Sequence, residues 1–329
     1  MNVLVVGGAG YIGSHMVKML AARGHAVVTL DNFSTGHRDA VVAGRVVEAD
    51  LADRAALDAL FASGRFDAVM HFASFIQVGE SVREPAKYYR NNFANTLNLL
   101  DAMVAAGVTR FVFSSSAAVF GEPERVPIDE AHPKRPINPY GRTKLMVEEA
   151  LADYDAAYGL RSVSLRYFNA AGADPQGAIG ERHDPETHLV PLVLQAASGR
   201  RPSVAVFGDD YDTPDGTCVR DYIHVVDLCD AHLLALDWMA AHGSSGAFNL
   251  GNGQGFSVRE VIDTARRVTG RPIAVVASPR REGDPARLVA DATLARRELG
   301  WNPRFAALDT IVAHAWAWER THASRGTEG

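Results

Sequence analysis

Only two cysteines, Cys218 and Cys229, occur in 329 residues. So low a thiol content excludes a disulfide-stapled secreted scaffold and fits a reducing compartment. Long apolar runs are equally scarce, with none approaching the ~18 residues that a membrane-spanning helix needs. The opening Asn2-Val3-Leu4-Val5-Val6 is too short for the core of a secretory leader and runs straight into a glycine-rich turn, so the expected location is cytoplasmic. An excess of charge of either sign is lacking too. Lys and Arg number 33 against 39 Asp and Glu, a net charge of −6, which argues against a nucleic-acid or membrane-surface binder. Repeats and low-complexity segments are missing, apart from a polar tail at residues 322–329 expected to fray.

What is present is an ordinary globular composition, 47% hydrophobic and 22% charged. The length exceeds that at which a single core keeps growing, so a main domain with a smaller companion is expected. Short apolar runs at residues 3–6, 26–30, 46–48, 68–72, 110–114 and 162–166 read as strands. Helical patterns at 12–23, 55–61, 87–106 and 143–158 lie between them. That alternation predicts an α/β fold with a doubly wound, Rossmann-type parallel sheet, whose ligand site lies beyond the carboxyl ends of the strands. From about Gly172 the pattern loosens into Asp-Pro and Thr-Pro-Asp-Gly turns, the mark of a second, smaller α/β domain. The expected division is 1–171 and 172–329, with a return to the first domain at about 222–252 through a helix at 225–241 and a strand at 248–250.

Gly7-Gly8-Ala9-Gly10-Tyr11-Ile12-Gly13 joins the first strand to the first helix. Glycines at 7, 10 and 13 permit a tight turn and close approach of backbone amides to a pyrophosphate, although a strand-to-helix turn often needs glycine with no ligand at all. Asp31 ends the second strand 18 residues after Gly13, where a carboxylate meets ribose hydroxyls. It repels a 2'-phosphate and accepts from a 2'-hydroxyl, so NAD is expected over NADP, with Arg38 the nearest base that opposes this.

Tyr140-Gly141-Arg142-Thr143-Lys144 sets a phenol and an ammonium at i and i+4, on one helical face just after Asn138-Pro139. A nearby lysine, together with a positive nicotinamide ring, is expected to bring the phenol from an unperturbed pKa of about 10 towards neutrality. A bare YxxxK pattern is more often a surface pair. What changes the odds is Ser114-Ser115-Ser116 at the end of the fifth strand, 24 residues before Tyr140, where a hydroxyl can share the substrate proton.

These blocks resemble the extended short-chain dehydrogenase/reductases, and among them the UDP-glucose 4-epimerases. The likeness runs through SSSAAVFG (114–121), NPYGRTK (138–144), LRYFNAAGA (165–173), HFASFIQVGES (71–81), KYYRNN (87–92), FGDDYDTPDGTCVRDYIHVVDL (207–228), NLGNG (249–253) and RREGD (280–284), nearly the whole chain. It implies NAD as cofactor, a UDP-sugar as substrate, and interconversion of UDP-glucose and UDP-galactose by transient oxidation at C4. By the same likeness Tyr140, Ser116 and Lys144 are catalytic. Tyr11, Ile12, Asn32, Asp50, Leu51, Phe72, Ala73, Asn91, Ser114 and Phe168 join Gly7, Gly10, Gly13, Asp31, Tyr140 and Lys144 around the cofactor. Asn169, Leu189, Phe207, Arg220, Arg281, Asp284 and Leu288 face the substrate with Ser116 and Tyr140. No metal is expected.

The sequence departs from the family at Ile76, where many epimerases carry lysine, at Phe120, where tyrosine is usual, and at His188, where asparagine is common. Leu288 lies where the family sets a side chain against the sugar's C2 region, tyrosine there going with exclusion of N-acetyl sugars and cysteine or serine with their acceptance. UDP-glucose and UDP-galactose are therefore the expected pair, with weak action on UDP-N-acetylglucosamine. Another UDP-sugar, such as a UDP-pentose, is the alternative. A dehydratase needs an acid beside the strand-five hydroxyl, where this chain has Ser116-Ala117-Ala118, and a non-catalytic NAD-binding regulator tends to lose the Tyr or Lys. Helices 87–106 and 143–158 are expected to pair with their copies in a two-fold homodimer, as in the family.

Overall fold

The computed structural model describes residues 1–281 and 284–325. Its first half alternates strands and helices: β1 (Asn2–Val6), α1 (Tyr11–Ala22), β2 (Ala26–Asp31), β3 (Arg45–Glu48), α2 (Arg54–Ala62) and β4 (Ala68–His71). Two short helices follow, α3 (Val78–Arg83) and α4 (Pro85–Tyr88), then α5 (Asn95–Ala105), β5 (Arg110–Ser116), α6 (Pro139–Tyr158) and β6 (Arg161–Tyr167). The strand order β3-β2-β1-β4-β5-β6 is parallel throughout. The chain winds outward from β1 to β3, then crosses back to β4, so the order reverses between β1 and β4. That reversal opens a crevice at the carboxyl ends of these two strands.

Side chains of β1 alternate between the two faces. Val3 and Val5 pack with Met16 and Leu20 of α1 on one side, while Leu4 and Val6 pack with Leu57, Leu99 and Val147 of α2, α5 and α6 on the other. A strand buried on both faces needs an unbroken apolar run, which is what NVLVV supplies.

The remaining elements are β7 (Asn169–Ala171), α7 (Leu189–Ala197), β8 (Val204–Phe207), β9 (Val219–His224), α8 (Val225–His242) and β10 (Gly246–Leu250), then β11 (Gly255–Ser257), α9 (Val258–Thr269), β12 (Val275–Ser278), β13 (Arg287–Leu288), α10 (Thr293–Glu298) and α11 (Leu308–Arg325). β10 lies parallel beside β6, with Phe248 opposite Leu165. The large sheet therefore has seven strands among the described residues, one more than the six read along the first half of the sequence. β9 carries β7, β11 and β13, and β8 pairs with β12. α7, α9 and α11 cover a separate core containing Val193, Ile262 and Ile311.

Two local expectations change. The continuous helix over 87–106 is broken by a π-helical segment at Tyr89–Ala94, between α4 and α5. The expected loss of order from residue 322 does not begin there, because α11 continues to Arg325; residues 326–329 of that tail lie outside the described residues.

Candidate active site

The glycine turn occupies the crevice between β1 and β4. Gly7 has φ of +78°, and a Cβ on it would stand 2.5 Å from the Ala73 nitrogen. On Gly13 a Cβ would meet the Gly7 carbonyl oxygen at 2.1 Å. Neither position admits a side chain, and Phe72 and Ala73 owe their place in the crevice to this close approach. Gly10 caps α1 without a side-chain hydrogen bond, and no acid lies in the first turn. The first amides of α1 and the positive end of its dipole thus remain available to an anion.

Asp31 is 8% exposed. Its oxygens accept from the Ala9 amide at 2.9 Å and the Phe33 amide at 2.8 Å, leaving further lone pairs for hydroxyl donors. Asn32 donates to Asp50 at 2.7 Å, and Asn98 donates to the Leu51 carbonyl at 3.1 Å. Arg38 is ion-paired with Glu48 and lies over the Phe33 ring, so the base expected to oppose NAD is already partnered. The donor set, the uncapped helix and the glycine cradle fit an NAD molecule. The Tyr11 hydroxyl donates to the Gly172 carbonyl at 2.7 Å, while its amide opens α1. Ile12 follows it in the first turn of α1.

Asn138 caps α6 by accepting from the Gly141 amide at 2.9 Å, with Pro139 in the first turn. A Cβ on Gly141 would stand 2.4 Å from the Ala118 carbonyl. This bare contact lets α6 rest on the turn that follows β5, which brings the Tyr140 phenol beside Ser116. Lys144, one turn on and 3% exposed, donates to Ser74 Oγ and to the Ser114 carbonyl, each at 2.8 Å. Another turn on, Glu148 accepts from Ser115 Oγ at 2.6 Å and takes a two-pronged ion pair from Arg166, at 2.9 and 2.6 Å. Both side chains of that pair are nearly sealed from water, at 4% and 6% exposure.

Electrostatics at this column are those of the cofactor-free protein. Burial raises the Tyr140 pKa above its ordinary 10.0, opposed by the neighbouring Ser116. Burial also lowers Lys144 to about 7, against the pull of Glu148. The ammonium lies 5.9 Å from the centre of the Tyr140 ring and spends its hydrogen bonds elsewhere, so the lysine alone does not acidify the tyrosine.

Other functional neighbours escaped the sequence reading. Asn92, in the π-helical segment, accepts from the Phe75 amide and donates to its carbonyl, both at 2.9 Å, and Asn91 donates to Asn92 at 2.9 Å. The π turn is what aims Asn92 at this loop, and nothing in the apolar period marked it. His232 of α8 contacts Ser114 Oγ at 3.1 Å and the Leu228 carbonyl at 2.9 Å, and burial holds its pKa down to about 4. The neutral ring donates through Nδ1 and accepts the serine proton through Nε2. Glu148 had a usable signal, standing at i+4 from Lys144.

On the other side of the cleft, Phe207 lies under the Arg281 guanidinium, 3.9 Å from its ring centre. Arg220 pairs with Asp284 and donates to the Val219 carbonyl at 2.8 Å. Asn169 donates to the Asp221 carbonyl at 2.9 Å, and Leu189 opens α7. Leu288 sits opposite Arg220 in the β9–β13 register. Like Phe168, it packs against the small cluster of Ala117, Val119, Phe120 and Ile128, apart from the core under α7, α9 and α11.

Residues 3–251 match the model of the NAD dependent epimerase/dehydratase family. The chain is 52% identical over 322 residues to a UDP-glucose 4-epimerase of Halalkalibacterium halodurans, covering 98% of this chain and 96% of that protein. It superposes on the crystal structure of UDP-glucose 4-epimerase from Brucella ovis in complex with NAD with a TM-score of 0.94, at 53% identity over 96% of this chain and 97% of the other. A UDP-glucose 4-epimerase of Stenotrophomonas maltophila, solved with NAD and formylated UDP-arabinopyranose, gives a TM-score of 0.95 at 44% identity, covering 99% of each chain.

Proposed function

The chain belongs to the NAD dependent epimerase/dehydratase family, and from that premise we propose that it interconverts UDP-glucose and UDP-galactose by transient oxidation at C4. The observation that carries this reading is the column on α6: the Tyr140 phenol on Ser116, with Lys144 one turn below. Bound NAD supplies the acceptor and later the donor of the C4 hydride, and a positive ring beside the phenol. Tyr140 takes the proton of the 4-hydroxyl and returns it after the 4-keto sugar has presented its other face. Ser116 holds the sugar oxygen and relays the proton. Lys144 orients the nicotinamide ribose, steadied by the Ser114 carbonyl and Ser74.

Such turning over needs a firm hold on UDP and a loose one on the hexose. Arg220 and Arg281 suit the diphosphate, since a guanidinium is always charged and forked. Asn169, Leu189, Phe207 and Asp284 complete that hold, and residues 172–329 supply most of it as the UDP-sugar domain, with 1–171 and the return at 222–252 as the NAD domain. Ser116-Ala117-Ala118 contains no carboxylate, which argues against elimination of water. Incubation with UDP-glucose is the test. An isobaric product with the galactose NMR pattern is expected, and a product lighter by one water would sink the reading.

The protein works in this reading as a cytoplasmic homodimer in galactose metabolism. No helix among the described residues is long and apolar enough to cross a membrane. Tyr154 of α6 and Asp101 of α5 are hydrogen-bonded at 2.5 Å, so the two helices form one continuous face, with Tyr158 59% exposed on it. A light-scattering mass of 35.4 kDa, that of one chain, at micromolar concentration would refute the dimer.

A further inference from the structure

Between β7 and α7 the chain runs Glu181-Arg182-His183-Asp184-Pro185-Glu186-Thr187-His188. Spacing alone singles out no metal set there. Folding changes this: one ligating atom from each of Glu181, His183, Glu186 and His188 comes within 4.8 Å of all the others. Ligands of one tetrahedral zinc ion, at about 2.0–2.2 Å from it, stand ~3.3–3.6 Å apart, so the widest pairs must close by about 1 Å and the closest open slightly to complete a shell.

The nitrogens and oxygens already crowd together. His188 Nδ1 is 2.7 Å from Glu181 Oε1 and 3.3 Å from Glu186 Oε1, and His183 Nδ1 is 3.3 Å from Glu181 Oε1 and 3.5 Å from Glu186 Oε2. Yet Glu181 Oε1, His183 Nδ1 and His188 Nδ1 are buried with no properly directed hydrogen bond. The four donor groups are thus gathered in one place, within ion-pairing distance of one another. Both carboxylate side chains are only 5% exposed, and of the two it is Glu181 whose Oε1 has lost its water without gaining a directed hydrogen bond.

We infer that Glu181, His183, Glu186 and His188 form a structural divalent-metal site, for which the two imidazoles and two carboxylates best suit tetrahedral zinc. Four protein ligands close the shell, which is the pattern of a structural rather than a catalytic site. The loop is prepared for it: Glu186 Oε1 accepts from the Thr187 and His188 amides at 2.8 and 2.9 Å, and Trp318 of α11 donates to the Glu181 carbonyl at 3.1 Å. The site ties three parts of the molecule together. His188 caps α7, the His183 ring meets Tyr11 of the glycine turn edge-on at 6.2 Å, and Glu181 is held to α11.

The competing account is a cluster of two protonated histidines and two carboxylates. Burial opposes the protons, but the carboxylates raise His183 to about 9 and His188 to about 10. A metal would displace those protons.

The enzyme, purified without metal-affinity resin, is loaded with Zn2+, dialysed and assayed for metal by mass spectrometry. Retention of about one zinc per chain is expected, with melting rising with the logarithm of free Zn2+. The His183→Ala/His188→Asn variant should retain at least ~10-fold less. Should that variant fail to fold, titration of the wild type with Co2+ decides instead: a tetrahedral visible spectrum, removed by Zn2+, supports the site. Wild type that loses zinc on dialysis and gives only the pale octahedral Co2+ spectrum overturns it, as does equal zinc retention by a folded variant.

Discussion

Lys144 donates its ammonium proton to the main-chain carbonyl of Ser114, 2.8 Å away, and so ties the catalytic helix to the end of the fifth strand. The two residues are 30 positions apart, yet this bond and the one to Ser74 set the depth at which α6 sits. The lysine is thereby a spacer as well as a charge. Its sealed position, beneath Tyr140 and above Glu148, makes the column open to separate tests.

Tyr140→Phe removes the phenol that stands beside Ser116 and, in the proposed function, carries the sugar proton. Turnover should fall by at least the ~100-fold typical of a general base, with folding and NAD content nearly intact by circular dichroism and extraction. Unchanged turnover would take Tyr140 out of the mechanism.

The depressed Lys144 gives a pH signature in cofactor-free protein. Its folded pKa is about 7 against an ordinary 10.5, so between those values the unfolded chain binds the extra proton and stability rises with pH. The contribution is complete above about 10.5 and lost as pH falls through about 7. Against Lys144→Met, the wild type should gain up to about 1.4 kcal/mol per pH unit in that window. A gap that stays constant from pH 7 to 10, or closes, contradicts the assignment.

Glu148→Gln leaves the Arg166 guanidinium buried and without its counter-charge. Breaking one partner of such a pair costs about 3–5 kcal/mol, which chemical denaturation of the variant would register. Loss of less than about 1 kcal/mol, the range of an exposed pair, would mean that water reaches the pair. The same change removes the charge that supports the Lys144 proton, so the lysine's pH window should also move down.

Leu288 packs against the cluster of Ala117, Val119, Phe120 and Ile128, and the proposed function makes its volume a control on sugar size. Overpacking a tight site costs roughly 1–3 kcal/mol, about 5- to 150-fold in affinity. The ratio of efficiencies on UDP-N-acetylglucosamine and UDP-glucose should rise in Leu288→Cys and fall in Leu288→Tyr. A ratio that is flat across wild type and both variants puts the gate elsewhere.

Local signals were enough to read most of the NAD-binding half. An apolar tetrad at residues 3–6 has few conformations other than a buried strand, three glycines at spacing three specify a turn with close backbone approach, and Tyr140 and Lys144 at i and i+4 must share a helical face. The first six parallel strands and the column on α6 follow from such short-range rules, and the family likeness supplied roles for the residues around them.

Tertiary structure decided what depends on residues far apart in the chain. β10 joins the sheet because Phe248 finds Leu165, 83 positions earlier, and no period within the strand names that neighbour. Asn92 acts on Phe75 because a π turn re-aims it, and His232 reaches Ser114 from 118 positions away. The direction in which burial moves the Tyr140 pKa, upward in the cofactor-free protein, was also not legible, because burial is set by packing. The convergence of Glu181, His183, Glu186 and His188 likewise needed the fold of one loop, since spacing along an irregular segment constrains neither the direction nor the depth of its side chains.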